Sequence, residues 1–214
     1  MRTVLVFACM GGLAMGEERA TSPSPDAVIA ELKAGNQRHV STNYKRKNHK
    51  TLARRIELAK GQHPGAIILS CADSRVPPEI IFDQGLGDLF VVRVAGNIVE
   101  DLGLGSIEYA AEHLGSKLIV VLGHERCGAV DATLKGGEAP GHIAALVKKI
   151  QPAVEKSKDM PGDKLDNAVI TNVRLVVEEL KRSQPMLTEM AAQGKIKIVG
   201  ARYDLDTGVV TWLP

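Results

Sequence analysis

Residues 117–123 read KLIVVLG and run directly into His124-Glu125-Arg126-Cys127-Gly128. A short, almost wholly apolar run of this kind suits a strand buried on both faces of a parallel sheet. Working backward, residues 66–70 (AIILS) form a second such run, which leads straight into Cys71-Ala72-Asp73-Ser74-Arg75. Residues 89–94 give another strand. Between and after the strands the apolar spacing turns helical, at 105–114, 128–134 and 143–150. A long amphipathic helix spans 163–182, with Leu165, Ala168, Val169, Val173, Val176, Val177 and Leu180 on one side. Residues 195–203 and 209–213 close the chain as strands joined by a turn. Upstream, Ser24-Pro25 opens a helix over 26–40, and a second helix is expected over 51–60. Strands alternating with helices predict an α/β fold, a single domain with a largely parallel central sheet flanked by helices.

Composition narrows the function. The chain has 214 residues and a net charge of +2, too near neutral for a dedicated polyanion binder. Aromatic residues make up only 3%, which argues against base-stacking nucleic-acid modules and for a core of Val, Ile, Leu and Ala. Three cysteines do not make a disulfide scaffold.

The amino terminus reads separately. Residues 1–16, MRTVLVFACMGGLAMG, place one Arg before an apolar run that ends in a small-x-small pattern. This is the layout of a secretory signal peptide, too short to span a bilayer. The expected organisation is a leader over 1–16, a polar linker over 17–25 and a catalytic domain over 26–214. An exported, periplasmic protein with no membrane segment in its mature form is the expectation, and a cytoplasmic chain the alternative.

The chemistry sits where two strands end. Ligands of open parallel sheets bind beyond the carboxyl ends of strands, and here those ends carry Cys71, His124 and Cys127. Zinc favours these ligand types, and three protein ligands leave one tetrahedral position open for catalysis. Gly128 starts a helix whose amino end would favour a Cys127 thiolate. A disulfide between the two cysteines remains an alternative. So does a closed site with Asp73 as a fourth ligand.

The segments CADSRVPPE, DLFVVRVAGN, IEYAAEHL and GHERCGA together resemble the β-class carbonic anhydrases. The resemblance runs from about residue 26 to the carboxyl terminus. It implies one Zn2+ per chain on Cys71, His124 and Cys127, beside an Asp73–Arg75 dyad. It further implies active sites at the interface of a homodimer or higher homo-oligomer. Gln62, in GQHPG, matches the substrate-binding glutamine of that family, and Phe90 and Tyr109 match its apolar pocket wall. The implied reaction is reversible hydration of CO2 to bicarbonate by zinc-activated hydroxide. In it Asp73 would orient the nucleophile, and Arg75 would keep Asp73 off the metal except in a closed state. Two thiolates make metal-bound water less acidic than three imidazoles do, so activity should favour alkaline pH. His63 and His113 are proton-shuttle candidates by residue type alone. A bicarbonate-inhibited branch carries a Trp where this chain has Ile68, while its other two anion-site residues match Arg93 and Tyr203. An open, constitutively active site is therefore expected. Hydrolysis of CS2 or COS on the same zinc, and a non-catalytic zinc protein, are the competing readings.

Overall fold

A computed structural model describes residues 23–45 and 51–214. The leader and the start of the linker lie outside the described residues. Five strands make one sheet: β1 (Ala66–Ser70), β2 (Leu89–Arg93), β3 (Leu118–His124), β4 (Lys197–Tyr203) and β5 (Val210–Leu213). Their order is β2-β1-β3-β4-β5, parallel except for the final antiparallel hairpin. β1 and β3 lie inside the sheet, and every residue of both is buried, which is why both read as continuous apolar runs. Alternate residues feed two cores. Ile68, Val120 and Leu122 pack with Cys71 and Cys127, whereas Ile67, Leu69, Ile119 and Val121 pack on the other face.

Eight helices accompany the sheet among the described residues: α1 (Pro25–Val40), α2 (Leu52–Leu58), α3 (Pro78–Ile81), α4 (Asp101–Glu112), α5 (Gly128–Lys135), α6 (Ile143–Ser157), α7 (Lys164–Lys181) and α8 (Met186–Ala192). The Ser24 and Thr51 hydroxyls accept N–H bonds at the starts of α1 and α2. Asp163 does the same for α7.

The departures from the sequence reading have local causes. α4 starts at Asp101, four residues before the expected start at 105. Gly103 and Gly105 weaken its helical signal, yet a Cβ at Gly103 would stand only 3.1 Å from Val99 Cγ2, so the small residue serves close packing. α6 runs on through Pro152 to Ser157. Burial of Ile150, Ala153 and Val154 outweighs the amide and space that proline removes. α3 is a single turn and α8 only seven residues long, too short to show a period.

The long helix α7 fixes the height of β3, the strand that ends in His124. A Cβ on Gly123 would lie 2.4 Å from Val173 Cγ2, and one on Gly200 would lie 2.9 Å from Val173 Cγ1. Val173 thus sits in a notch made by glycines on β3 and β4. Overpacking such a notch costs about 1–3 kcal/mol, and here it would displace the residue just before His124.

Candidate metal centre and active site

β1 and β3 are neighbours in parallel register, with Ser70 opposite Leu122. Their carboxyl ends therefore deliver Cys71 and His124 side by side. The next loop turns back at Arg126, a non-glycine residue at φ 51, and brings Cys127 to the cap of α5. Cys71, His124 and Cys127 are all buried, and one donor atom from each lies within 4.8 Å of the others.

The donors have the chemistry of a metal site. The two sulfurs are 4.0 Å apart. That is far beyond the ~2.05 Å of a disulfide, and both cysteines are free thiols. It is close to the ~3.8 Å expected of two thiolates about 2.3 Å from a tetrahedral zinc. His124 Nδ1 lies 2.8 Å from the Glu125 carbonyl. A carbonyl only accepts, so the N–H sits on Nδ1 and Nε2 carries a bare lone pair. Nε2 is buried and has no hydrogen-bond partner, which is costly unless a cation takes it. The residues thus fit zinc. The Cys127 hydrogen bond lowers the pKa of the Cys71 thiol, while the Cys71 sulfur raises that of Cys127.

Asp73 stands beside the donors. Its Oδ1 accepts from the Arg75 backbone N–H and Nε, both at 2.9 Å, and its Oδ2 accepts from Arg75 Nη2 at 2.7 Å. This fork holds the carboxyl down to about 2. Oδ2 is 3.9 Å from His124 Nε2. The carboxylate is thus near enough to reach a metal but is engaged by the guanidinium, which is the open arrangement.

The loops around the site are tied down. Arg93 donates from Nε to the Cys71 carbonyl and from Nη2 to the Asp73 carbonyl. Arg126 makes two bonds to Asp206, at 3.0 and 2.7 Å. Glu125 N–H donates to the Tyr203 carbonyl, and Glu125 Oε2 accepts from the Leu205 N–H. Tyr203 OH lies 3.0 Å from His39 Nε2, whose Nδ1 is 2.7 Å from Tyr44 OH. Burial lowers the pKa of His39. Arg93 and Tyr203, read from sequence as anion-site partners, are both engaged within the chain, and Ile68 is fully buried. Sequence reasoning missed His39, Asp206 and the loop-binding part of Arg93. The basic residue that ends the β2 run was the one available signal among them.

Three other expected residues are not brought to this centre. Gln62 is exposed in the loop before β1, whereas Cys71 follows its far end. Five strand residues at ~3.3 Å each put roughly 17 Å between them. Phe90 packs with Ile67 and Leu69, on the face away from Cys71. Tyr109 is half exposed on α4, its ring 5.3 Å from that of His113. Gln62 borders an open depression of about 530 Å³ with Leu58, Leu86 and Gly87. His63 and His113 are exposed.

Comparison with known proteins agrees with this geometry. The sequence model of the family described as carbonic anhydrase matches residues 66–210. The chain is similar to carbonic anhydrase 2 of Mycobacterium tuberculosis, 42% identical over 189 residues, covering 86% of this chain and 91% of that protein. A carbonic anhydrase of Mycolicibacterium smegmatis is 39% identical over 191 residues, covering 87% and 92%. Among solved structures, Coccomyxa β-carbonic anhydrase in complex with acetazolamide superposes with a TM-score of 0.67 at 28% identity, covering 88% of this chain and 82% of that one. One of two tetrameric β-carbonic anhydrases from Sordaria macrospora gives 0.69 at 25% identity, covering 88% and 94%. On its sheet order, its Cys-His-Cys cluster and these matches, the chain belongs to the β-carbonic anhydrase family.

Proposed function

We propose that this protein catalyses the reversible hydration of CO2 to bicarbonate and a proton, using one zinc held by Cys71, His124 and Cys127. The observation that carries the reading is the buried, unpartnered His124 Nε2 facing two sulfurs, with an ionised carboxylate 3.9 Å away. Zinc at these donors would supply a Lewis acid that lowers the pKa of water and so makes hydroxide available, at a more alkaline pH than three imidazoles would require. Asp73, held ionised by Arg75, is acceptor-only. It takes a hydrogen bond from the nucleophile and so turns a lone pair toward the substrate carbon. Arg75 spends its fork on both carboxylate oxygens and keeps Asp73 from becoming a ligand.

The substrate side of the pocket comes, in this reading, from a second copy of the chain. Gln62, Phe90 and Tyr109 lie away from their own metal donors. α2, just before Gln62, leaves Leu52 and Ile56 exposed, and Leu86 beside Gln62 is exposed too. Apolar residues in that number suit an interface. Docking this face on a partner would let Gln62 donate its side-chain N–H to an oxygen of the forming bicarbonate, with Phe90 and Tyr109 excluding water. A homodimer is the minimum assembly, and the tetrameric Sordaria proteins are a precedent for larger ones.

Export follows the leader sequence. Among the described residues no helix is long and apolar enough to cross a membrane. Intact mass and amino-terminal sequencing of native protein test removal of residues 1–16, and a mature chain that begins at Met1 would contradict it. The reaction is tested by assaying purified protein for zinc, CO2 hydration and CS2 hydrolysis side by side. CO2 hydration with about one zinc per chain is expected. Hydrolysis of CS2 without hydration of CO2 would overturn the assignment.

A further inference from the structure

The two sulfurs of the cluster are supported differently. Cys127 caps α5 and has a helix amino terminus behind it. Cys71 has no helix. Its sulfur accepts instead from the backbone N–H of Gly96, at 3.3 Å. Gly96 stands at φ 74 and ψ 16, a left-handed conformation suited to glycine. A Cβ there would come within 2.6 Å of Ile150 Cδ1. One side chain pins this residue from the other side: Asn172 Nδ2 on α7 donates to the Gly96 carbonyl at 2.7 Å. Asn172 is 2% exposed and is flanked along α7 by the buried Val169, Val173 and Val176. A buried amide is expensive among valines unless it is bonded, and its removal would leave a buried carbonyl unsatisfied.

We propose that Asn172 is a positioning residue of the metal centre: it holds Gly96 so that the Gly96 N–H stays on the Cys71 sulfur. An N–H bond to a thiolate draws charge from the sulfur lone pairs that would otherwise go to the metal, and partners of this kind tune affinity and Lewis acidity. In a site with two thiolates, which donate heavily, such a bond offsets part of the donation. Asn172 touches neither metal donor nor substrate and acts only through Gly96. The inference rests on the zinc reading above.

The test replaces zinc by Co2+, whose thiolate-to-cobalt charge-transfer band reports the charge on sulfur directly. Asn172→Leu keeps the branched shape and removes the donor. Asn172→Ser keeps a small polar group that is too short to reach Gly96, and it carries the test alone if the leucine variant does not fold. Asn167→Ala, on the same helix, removes an amide bonded to the Pro161 carbonyl and serves as the destabilisation control. The expected result is a band moved to lower energy in both Asn172 variants and unmoved in Asn167→Ala. The band decides. If it stays in place in a folded, cobalt-loaded Asn172 variant, the role is merely structural and the inference fails, whatever the loss of thermal stability. The inference also fails if Asn167→Ala moves the band by the same amount. A wild-type chain that takes up neither zinc nor cobalt would overturn the metal reading itself, and this inference with it.

Discussion

At the carboxyl end of β1, Cys71 is surrounded by its own chain. Gly96 donates to its sulfur, Arg93 to its carbonyl, and His124 and Cys127 complete a buried cluster. At the amino end of the same strand, Gln62 is exposed, and α2 just before it contributes no buried residue at all. A seven-residue helix with exposed Leu52 and Ile56 gains little from its own chain, and helices this short depend on packing for stability. The contrast assigns the two halves of the proposed reaction to different sources. In the proposed reaction one chain would hold the metal and its carboxylate, and a second chain would complete the substrate pocket.

Several substitutions break one side of this contrast and spare the other. The largest effect is expected at the donors. Cys71→Ser, His124→Ala and Cys127→Ser should each lose zinc and bring CO2 hydration down to background, as read by metal analysis and stopped-flow assay on the same samples. Next comes Asp73→Asn, which should keep zinc and assembly but lose about 100-fold in turnover, the scale of a misplaced proton acceptor. At the other end, Leu52→Asp combined with Ile56→Asp should keep zinc yet shift sedimentation toward monomers. Activity should fall at low protein concentration and recover in part at high concentration, because mass action restores the assembly. Full activity in a stable monomer would erase the contrast.

The smallest effect concerns the β4–β5 turn that braces the metal loop. Asp204 is lowered to about 2 from 3.8, first by the Thr207 backbone N–H and then by the Thr207 hydroxyl. A depressed carboxylate stabilises the fold fully above its unfolded pKa and loses that contribution as pH falls through about 2. Asp204→Asn should therefore cost about 1 kcal/mol at pH 7, discounted for partial exposure, and almost nothing below pH 2. Parallel denaturation curves at the two pH values would show it.

Much of this was legible in the sequence, for physical reasons. β1 and β3 are buried on both faces, so they had to be apolar throughout, and the reactive residues that follow them stand out against those runs. Cys71, Asp73, Arg75, His124 and Cys127 could be read together because each lies within five residues of a strand end. Asn172 could not. It is one of many polar residues on an amphipathic helix, and its partner is a backbone carbonyl 76 positions away. His39 was hidden in the same way, since its bond to Tyr203 spans 164 positions. α4 was shortened in the sequence reading by its own glycines and α6 by Pro152, where packing overrides propensity. The assignment of Gln62, Phe90 and Tyr109 rests on family resemblance alone, because nothing in their local pattern points to a substrate pocket.

The division between the two ends of β1 is tested most directly by mixing defects. Cys127→Ser chains lack a metal site but carry an intact Gln62, and Gln62→Ala chains carry the metal site but lack the glutamine. Each variant alone should be inactive or nearly so. Co-expressed and purified as mixed assemblies, they should regain CO2 hydration, because a mixed dimer has one site in which sound metal donors from one chain face a sound Gln62 from the other. Mixed assemblies that stay as inactive as either parent would contradict the account, and so would Gln62→Ala homo-oligomers with wild-type turnover.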